Sequence, residues 1–372
     1  MKIGVPKETA SGEKRVALVP DAVASLLNKA GVSVVVEAGS GVEAGHPDSQ
    51  YTEAGATVGS LADALAADLV LKVAVPTAED TAGFRSGQVV ISHMSPWTAA
   101  ETNNALARAG VTAFAMEAIP RTTRAQAMDA LSSQATAAGY AAAMIASRES
   151  ARFWGMLTTA AGTIRPAKVL VLGAGVAGLQ AIATAKRLGA IVTGFDIRRA
   201  AWEQIGSLGG RPLELDFIPD AEGEGGYARP LTDEENEQVR QALDENAAKQ
   251  DVIITTAAIP GRAAPILITR QGVANMAPGS VIVDLAAETG GNCELTEAGQ
   301  VIDVDGVKIV GPLNLASELP GHASQLYAKN LENLLGLMIT DTGDLELNFE
   351  DDIIEAACIA HEGQIRGERT AK

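Results

Sequence analysis

AKVLVLGAGVAGLQAIATAKRLGAIVTGFDIRR, residues 167–199, reads as strand, glycine turn, helix, strand and acid. Lys168–Leu172 is β-branched and leucine-rich, as suits a strand buried on both faces. Gly173, Gly175 and Gly178 make G-x-G-x-x-G, and Val176 to Leu188 has helical composition ended by Gly189. Ile191–Phe195 is a second strand, and Asp196 closes it 18 residues after Gly178. These parts fit a dinucleotide. Gly173 permits the tight turn, Gly175 lets backbone approach a pyrophosphate, and Gly178 lets helix pack on strand. The helix start offers N–H groups and a positive dipole end to phosphates. Asp196 stands where an acid accepts from ribose hydroxyls and repels a 2′-phosphate, which favours NAD. Arg198 and Arg199 beside it pull the other way, because arginine can take a 2′-phosphate.

Outward from this stretch the chain alternates strand and helix. Toward the N-terminus, strands are expected at Lys2–Val5, Val32–Glu37, Leu69–Val73, Val89–His93 and Val111–Met116, with Arg15–Val19 extended. Helices are expected at 20–29, 61–67 and 99–108. Toward the C-terminus, strands are expected at Val252–Thr256, Ser280–Asp284 and Lys308–Gly311, and a last helix at about 323–338. The fold class is therefore α/β: two Rossmann-like domains with parallel sheets joined by long helices. The N-terminal domain covers 1–130, completed by about 325–372, and the NAD-binding Rossmann domain covers 131–324. An alanine-rich helix from about Ser132 to Arg152 is long enough to bridge them. The acidic, glycine-rich insert between Leu215 and Asp251 reads as a long loop, mobile over about 217–238. The tail from Asp341 lacks helical pattern. Asp352–Ile359 and Gln364–Ile365 around His361-Glu362-Gly363 suggest a β-hairpin, with GERTAK at 367–372 disordered.

Composition excludes several function classes. The 372 residues carry a net charge of −17, which leaves no basic face for nucleic acid. Two cysteines and four scattered histidines give neither a disulfide framework nor metal-ligand spacing. The N-terminus, MKIGVPKE, has no signal-peptide apolar region, and the apolar stretch 135–146 is too short to span a bilayer. A cytoplasmic protein with no direct membrane insertion is expected.

Four constellations carry candidate chemistry. Arg121, Gln126, Asp129 and Ser132 lie where the alternating pattern breaks; they could bind a ligand amide, or form a solvated loop with a helix cap at Asp129 or Ser132. Arg15, Lys72 and His93 sit at strands and could bind a carboxylate and move protons, or be unrelated surface charge. Gly226 and Tyr227 lie in the acidic insert, as a lid tip or a loop without a role. Asp284 and Leu285 open the stretch to Asn292 at the carboxyl edge of a strand, where open α/β sheets bind ligands.

Taken together, these residues resemble a family. Ile3-Gly4-Val5-Pro6-Lys7-Glu8, Arg15-Val16-Ala17, Pro120-Arg121, Arg124-Ala125-Gln126-Ala127-Met128-Asp129 and Leu131-Ser132-Ser133-Gln134 carry the likeness, with the Gly173–Lys186 segment. Gly225-Gly226-Tyr227-Ala228, Ile254-Thr255-Thr256-Ala257 and Gly290-Gly291-Asn292-Cys293 extend it. The chain resembles the NAD(H)-binding component of proton-translocating transhydrogenase and, more distantly, alanine dehydrogenase. The resemblance implies that Arg121, Gln126, Asp129 and Ser132 hold the nicotinamide end of NAD(H). It implies that Tyr227 sits on a loop closing over the nucleotide, and that Asp196 holds the adenosine ribose. Gly173, Gly175, Val176, Gly178, Ile197, Arg198, Gly226, Ala257, Ala258, Asp284 and Leu285 complete the cofactor site. Pro230-Leu231 stands where some members have a methionine. NADP(H) is expected on a partner subunit, because the chain has one glycine fingerprint. A homodimer docked on membrane-embedded and NADP-binding subunits is expected, peripheral to the inner membrane, since the chain stops at Lys372 where longer relatives continue into membrane helices. Two other readings stand beside it: an alanine dehydrogenase using Arg15, Lys72 and His93, and a non-catalytic NAD-binding regulator. Against the first, the chain has Arg121, Gln126 and Asp129, the acidic insert, and Glu288 where those enzymes carry aspartate.

Overall fold

The computed structural model describes residues 1–215, 217, 231–258 and 261–366. They form two compact units, Met1–Gln134 with Ala316–Lys372, and Ala135–Leu315. Both are α/β with largely parallel sheets. The helix Ala130–Glu149 begins in the first unit and continues into the second.

In the first unit the sheet runs in the order Gln364–Ile365, Cys358–His361, Thr112–Ala115, Val89–Ser92, Leu69–Leu71, Lys2–Val5, Ser33–Glu37, Thr57–Gly59. The six strands from Thr112–Ala115 to Thr57–Gly59 pair in parallel. The Cys358–His361 strand adds antiparallel to Thr112–Ala115. Every residue of Leu69–Leu71, Val89–Ser92 and Thr112–Ala115 is buried, which is why these runs are continuously apolar rather than alternating.

The second unit repeats the plan around Lys168–Leu172. Ile191–Phe195 and then Arg211–Pro212 lie on one side of it. Val252–Thr255, Val281–Asp284 and Val307–Val310 lie on the other, and antiparallel Val301–Val304 closes the edge. Strand order thus reverses between Lys168–Leu172 and Val252–Thr255, where Leu172 is in register with Thr255.

Three segments differ from the sequence expectation. Within the acidic insert, Asp233–Ala247 is a helix, not loop. Thr232 Oγ1 accepts from the Glu235 amide at 3.2 Å and the Glu235 carboxylate accepts from the Thr232 amide at 2.8 Å, a reciprocal cap. Asp233, Glu234 and Glu235 suit the dipole at that end, and Val239, Leu243 and Ala247 bury one face. In the tail, Asp352–Ala357 is helical, capped by Asp351, and only Cys358–His361 with Gln364–Ile365 form the hairpin. The short spacing of buried Ile353, Ile354 and Ala357 is helical, but one and a half turns give too little pattern to read. Arg15–Val19 is buried and extended but pairs in no strand. Residues 367–372 lie outside the described residues.

The first unit buries charge as well as apolar surface. The Arg15 guanidinium donates to Glu13 Oε1 at 2.8 Å and Oε2 at 2.6 Å, and to Gln134 Oε1 at 2.8 Å. Lys72, 1% exposed, lies 3.1 Å from Asp80 and 3.4 Å from Glu8. Burial alone would raise the Glu13 carboxyl. The Arg15 guanidinium, the Ser317 hydroxyl and the Arg15 amide outweigh it and hold its pKa at about 2. For Glu8 burial wins and the pKa is raised. For Lys72 burial is outweighed by Glu8 and Asp80, and its pKa is also raised.

Because the Glu13 pKa is depressed on folding, its contribution is present above the unfolded value of 4.5 and lost as pH falls through about 2. Glu13→Gln should cost about 3 kcal/mol at pH 7 by chemical denaturation, since it strands a buried guanidinium. It should also flatten the fall in stability across that acid window.

Candidate functional site

The reversal of strand order opens a crevice at the carboxyl ends of Lys168–Leu172 and Val252–Thr255, the place where open α/β sheets take ligands. The glycine turn forms its floor. Gly173 has φ +94°, and a Cβ there would stand 2.6 Å from Thr256 Oγ1. A Cβ at Gly178 would stand 1.9 Å from the Gly173 carbonyl oxygen, so the helix Val176–Arg187 sits hard against the turn. A Cβ at Gly175 would meet nothing within 4 Å. That backbone face is open, and no side chain caps the helix, so its start can offer N–H groups to an anion.

Asp196 forms one side. Its Oδ2 accepts from the Ala174 amide at 2.8 Å and from Arg198 Nη2 at 2.8 Å. Its Oδ1 accepts from the Arg198 amide and Nε, both at 2.9 Å. Trp202 Nε1 donates to the Asp196 carbonyl at 3.0 Å. The acid therefore braces the glycine turn, and the Arg198 guanidinium is drawn onto the acid. Ile197 is half-buried beside them, and Val176, at the helix start, is exposed.

The other side is built on Asp284. This carboxylate is completely buried and accepts five hydrogen bonds. Oδ1 takes Thr255 Oγ1 at 2.8 Å and the Ala286 amide at 3.0 Å. Oδ2 takes the Asn292 and Cys293 amides at 2.7 and 2.9 Å and Thr296 Oγ1 at 2.6 Å. Asp284 was expected to touch the cofactor; with its oxygens so engaged, it works by shaping the loop after its strand. Leu285 is half-buried, its amide bonded to the Thr255 carbonyl at 2.9 Å. Ala257 is half-buried and Ala258 exposed. Sequence reasoning did not assign Thr256, whose Oγ1 donates to the Gly173 carbonyl at 3.0 Å, or Asn292, which clamps Ala257. A polar residue directly after a buried strand of such a crevice is the signal available for Thr256. The crevice has no activated thiol: burial pushes the Cys293 thiol up to about 11, out of thiolate range at neutral pH.

In the first unit, Arg121 and Gln126 are exposed around the 3-10 turn Thr123–Met128. Asp129 Oδ1 accepts from the Ser132 amide at 2.9 Å and Oδ2 from Ser132 Oγ at 2.6 Å, which caps the start of the helix Ala130–Glu149. Asp129 and Ser132 are thus brought together. Arg124 holds the turn to the tail by a two-pronged pair with Asp351 at 2.7 Å and a contact with Asp352. Asn330 and Asn333 donate to the Ala127 carbonyl at 2.9 and 3.1 Å. Gly226 and Tyr227 lie outside the described residues.

Arg15, Lys72 and His93 belong to the buried charge network of the first unit. His93 Nδ1 is 3.5 Å from Glu117, and its ring lies 5.3 Å from that of Tyr327, whose hydroxyl donates to the Lys72 carbonyl at 2.8 Å. Burial would raise the Glu117 carboxyl, but His93 and the Ser95 amide outweigh it and its pKa is lowered. Arg15 and Lys72 already carry internal carboxylate partners.

Residues 4–138 match the family described as Alanine dehydrogenase/PNT, N-terminal domain, and residues 142–368 match Alanine dehydrogenase/PNT, C-terminal domain. The chain is 47% identical over 375 residues to a chain of NAD(P) transhydrogenase subunit alpha from Rhodospirillum rubrum, covering 98% of this chain and 97% of that one. A solved structure of transhydrogenase from Sinorhizobium meliloti matches with TM-score 0.90 at 47% identity, over 98% of this chain and 100% of that one. An L-alanine dehydrogenase structure matches with TM-score 0.80 at 27% identity, over 98% of this chain and 96% of that one. Two domain matches and a fold shared nearly end to end agree: the chain belongs to the alanine dehydrogenase/PNT family.

Proposed function

We propose that this chain is the NAD(H)-binding component of a proton-translocating transhydrogenase. It binds NAD(H) in the second unit and passes hydride between NADH and NADP+ carried by a partner subunit. A membrane-embedded partner couples the transfer to proton movement, and the chain is peripheral to the membrane. Among the described residues no helix is long and apolar enough to cross one. The observation that carries the reading is the crevice floor: an open Gly175 backbone and an uncapped helix start beside Asp196, in a chain so similar to transhydrogenase alpha subunits.

Bound NADH supplies a hydride at C4, and its exchange with a second nicotinamide transfers no proton to a substrate atom. The chain therefore needs no general acid. It needs to hold the ring in place and keep water out. Gly173, Gly175, Val176 and Gly178 receive the pyrophosphate, and Asp196, with Ile197 and Arg198 beside it, receives the adenosine ribose. The commitment of Arg198 to Asp196 supports NAD over NADP. Ala257, Ala258 and Leu285 line the far side. Arg121 and Asp129 orient the carboxamide, Ser132 supports the ring and Gln126 meets the NADP side. The Asp129–Ser132 bonds supply the rigidity this needs. Gly226 and Tyr227 cover the nucleotide.

A homodimer fits the surface of the second unit. Phe153 and Met156 are 57% and 69% exposed, and every residue of the paired strands Leu157–Thr159 and Gly162–Ile164 is exposed. A two-stranded ribbon is marginal alone, and exposed apolar surface of this kind marks protein contacts.

Mixed with an NADP(H)-binding transhydrogenase subunit, the chain should transfer hydride from NADH to NADP+ or an analogue. With pyruvate, ammonia and NADH it should turn over nothing; robust alanine formation there would sink the reading. NADH binding without transfer to any partner would instead mark a regulator. Gly175→Ala should leave the melting temperature unchanged, because a Cβ there meets only open space, yet weaken NADH binding about tenfold or more by filling the pyrophosphate's approach. Gln126→Asn should slow transfer about tenfold with NADH affinity within about twofold, read by stopped-flow and fluorescence titration. Met156→Asp should convert a dimer to monomer in sedimentation velocity with the far-UV spectrum unchanged.

A further inference from the structure

Gly290 and Gly291 have φ +103° and +83°, two left-handed residues in succession. A Cβ at Gly291 would stand 2.8 Å from Asp284 Oδ2 and 2.9 Å from Thr296 Cβ. Only glycine lets the chain fold this closely over Asp284 and deliver the Asn292 and Cys293 amides to it. That fold aims the Asn292 side chain, itself completely buried, back across the sheet. Its Oδ1 accepts from the Ala257 amide at 3.0 Å, and its Nδ2 donates to the Ala257 carbonyl at 2.8 Å and the Pro265 carbonyl at 2.8 Å. Both amide protons and the carbonyl are used. The carboxamide pairs with both polar groups of Ala257 as a neighbouring strand would, just past the point where the Val252–Thr255 strand has ended.

Three successive residues leaving that strand are thereby tied. Thr255 Oγ1 is held by Asp284, Thr256 Oγ1 by the Gly173 carbonyl, and Ala257 by Asn292. The order of strands puts Ala257 across the glycine turn from Asp196. We propose that Asn292 is a positioning residue for the dinucleotide: its carboxamide locks Ala257, and with it the wall that continues to Ala258, at the height the bound cofactor requires. The proposal rests on the dinucleotide reading of this crevice. Asn292 touches no ligand in this role. It acts by removing the freedom of a wall whose ordering would otherwise weaken binding.

The test compares the full-length wild-type chain with Asn292→Ala, N292D and Asn292→Ser. Alanine removes all three bonds. Aspartate keeps the shape but turns an acceptor toward both carbonyls. Serine leaves one hydroxyl and should fall between wild type and alanine. In N292A the NADH dissociation constant should rise about tenfold, and in N292D further. With an NADP(H)-binding partner subunit, KM for NADH should rise in parallel while kcat at saturating NADH stays within about twofold. A purely structural loss would do the opposite, lowering the active fraction and kcat without moving KM. Without nucleotide, the Ala257 amide should exchange with solvent about tenfold faster in N292A. If N292D does not fold, N292A and N292S decide the matter. A wild type that binds NADH and an N292A that binds it equally well overturn this proposal alone. A wild type that does not bind NADH overturns the dinucleotide reading, and this proposal with it.

Discussion

The parallel pairing of Lys168–Leu172 with Val252–Thr255, with Ile191–Phe195 on the other flank, is the constraint on which the second unit depends. Parallel strands end on one edge, so every loop that could touch a ligand starts there. The chain leaves Lys168–Leu172 for one flank and returns to the other, so the loops on either side of Leu172 diverge and leave a gap. What fills the floor of that gap is decided by contact distance. The helix after Gly175 approaches the turn so closely that position 178 has no room for a side chain. The same closeness brings the helix start to the crevice. Anion affinity and helix packing are thus one geometric fact.

Two carboxylates then brace the crevice from opposite flanks, by related means. Asp196 is held by two amides and one guanidinium, and Asp284 by three amides and two hydroxyls. Neither is buried without partners, which would be costly. Both lie at strand ends, where backbone N–H groups of the next loop have lost their ladder partners. An acid there organises a loop because it can accept several such donors at once. In the first unit the buried acids are neutralised by cations instead, Glu13 by Arg15 and Glu8 with Asp80 by Lys72. That arrangement gives a closed network of charge, in contrast to the open floor at Gly175.

Legibility in the sequence followed the range of the interactions involved. The strand–turn–helix–strand at 167–199 was readable because its signals, apolar runs, glycines at fixed spacing and a trailing acid, all fall within one supersecondary unit. The helix Asp233–Ala247 was masked by its own charge: four acids in its first five residues read as loop, although Thr232 and Glu235 make a capping box. The helix Asp352–Ala357 was too short to show a period. Asn292 and Thr256 stood inside recognised segments, but their partners lie 35 and 83 residues away. Nothing local says which carbonyl such a side chain will meet.

The sequence by itself determined the α/β class, the parallel sheets, the glycine turn and the acid beside it, and it carried the family likeness from end to end. Each of these is written in residue type and spacing along the chain. Only the tertiary structure decided what the polar residues do once buried. It gave Asp284 five donors and made it a strut, committed Arg198 to Asp196, set Asp129 on Ser132 as a helix cap, and closed Arg15 and Lys72 into internal pairs. The reason is physical. A buried polar group must be satisfied by whatever donor or acceptor the fold brings within about 3 Å, and that neighbour is chosen by the packing of distant segments.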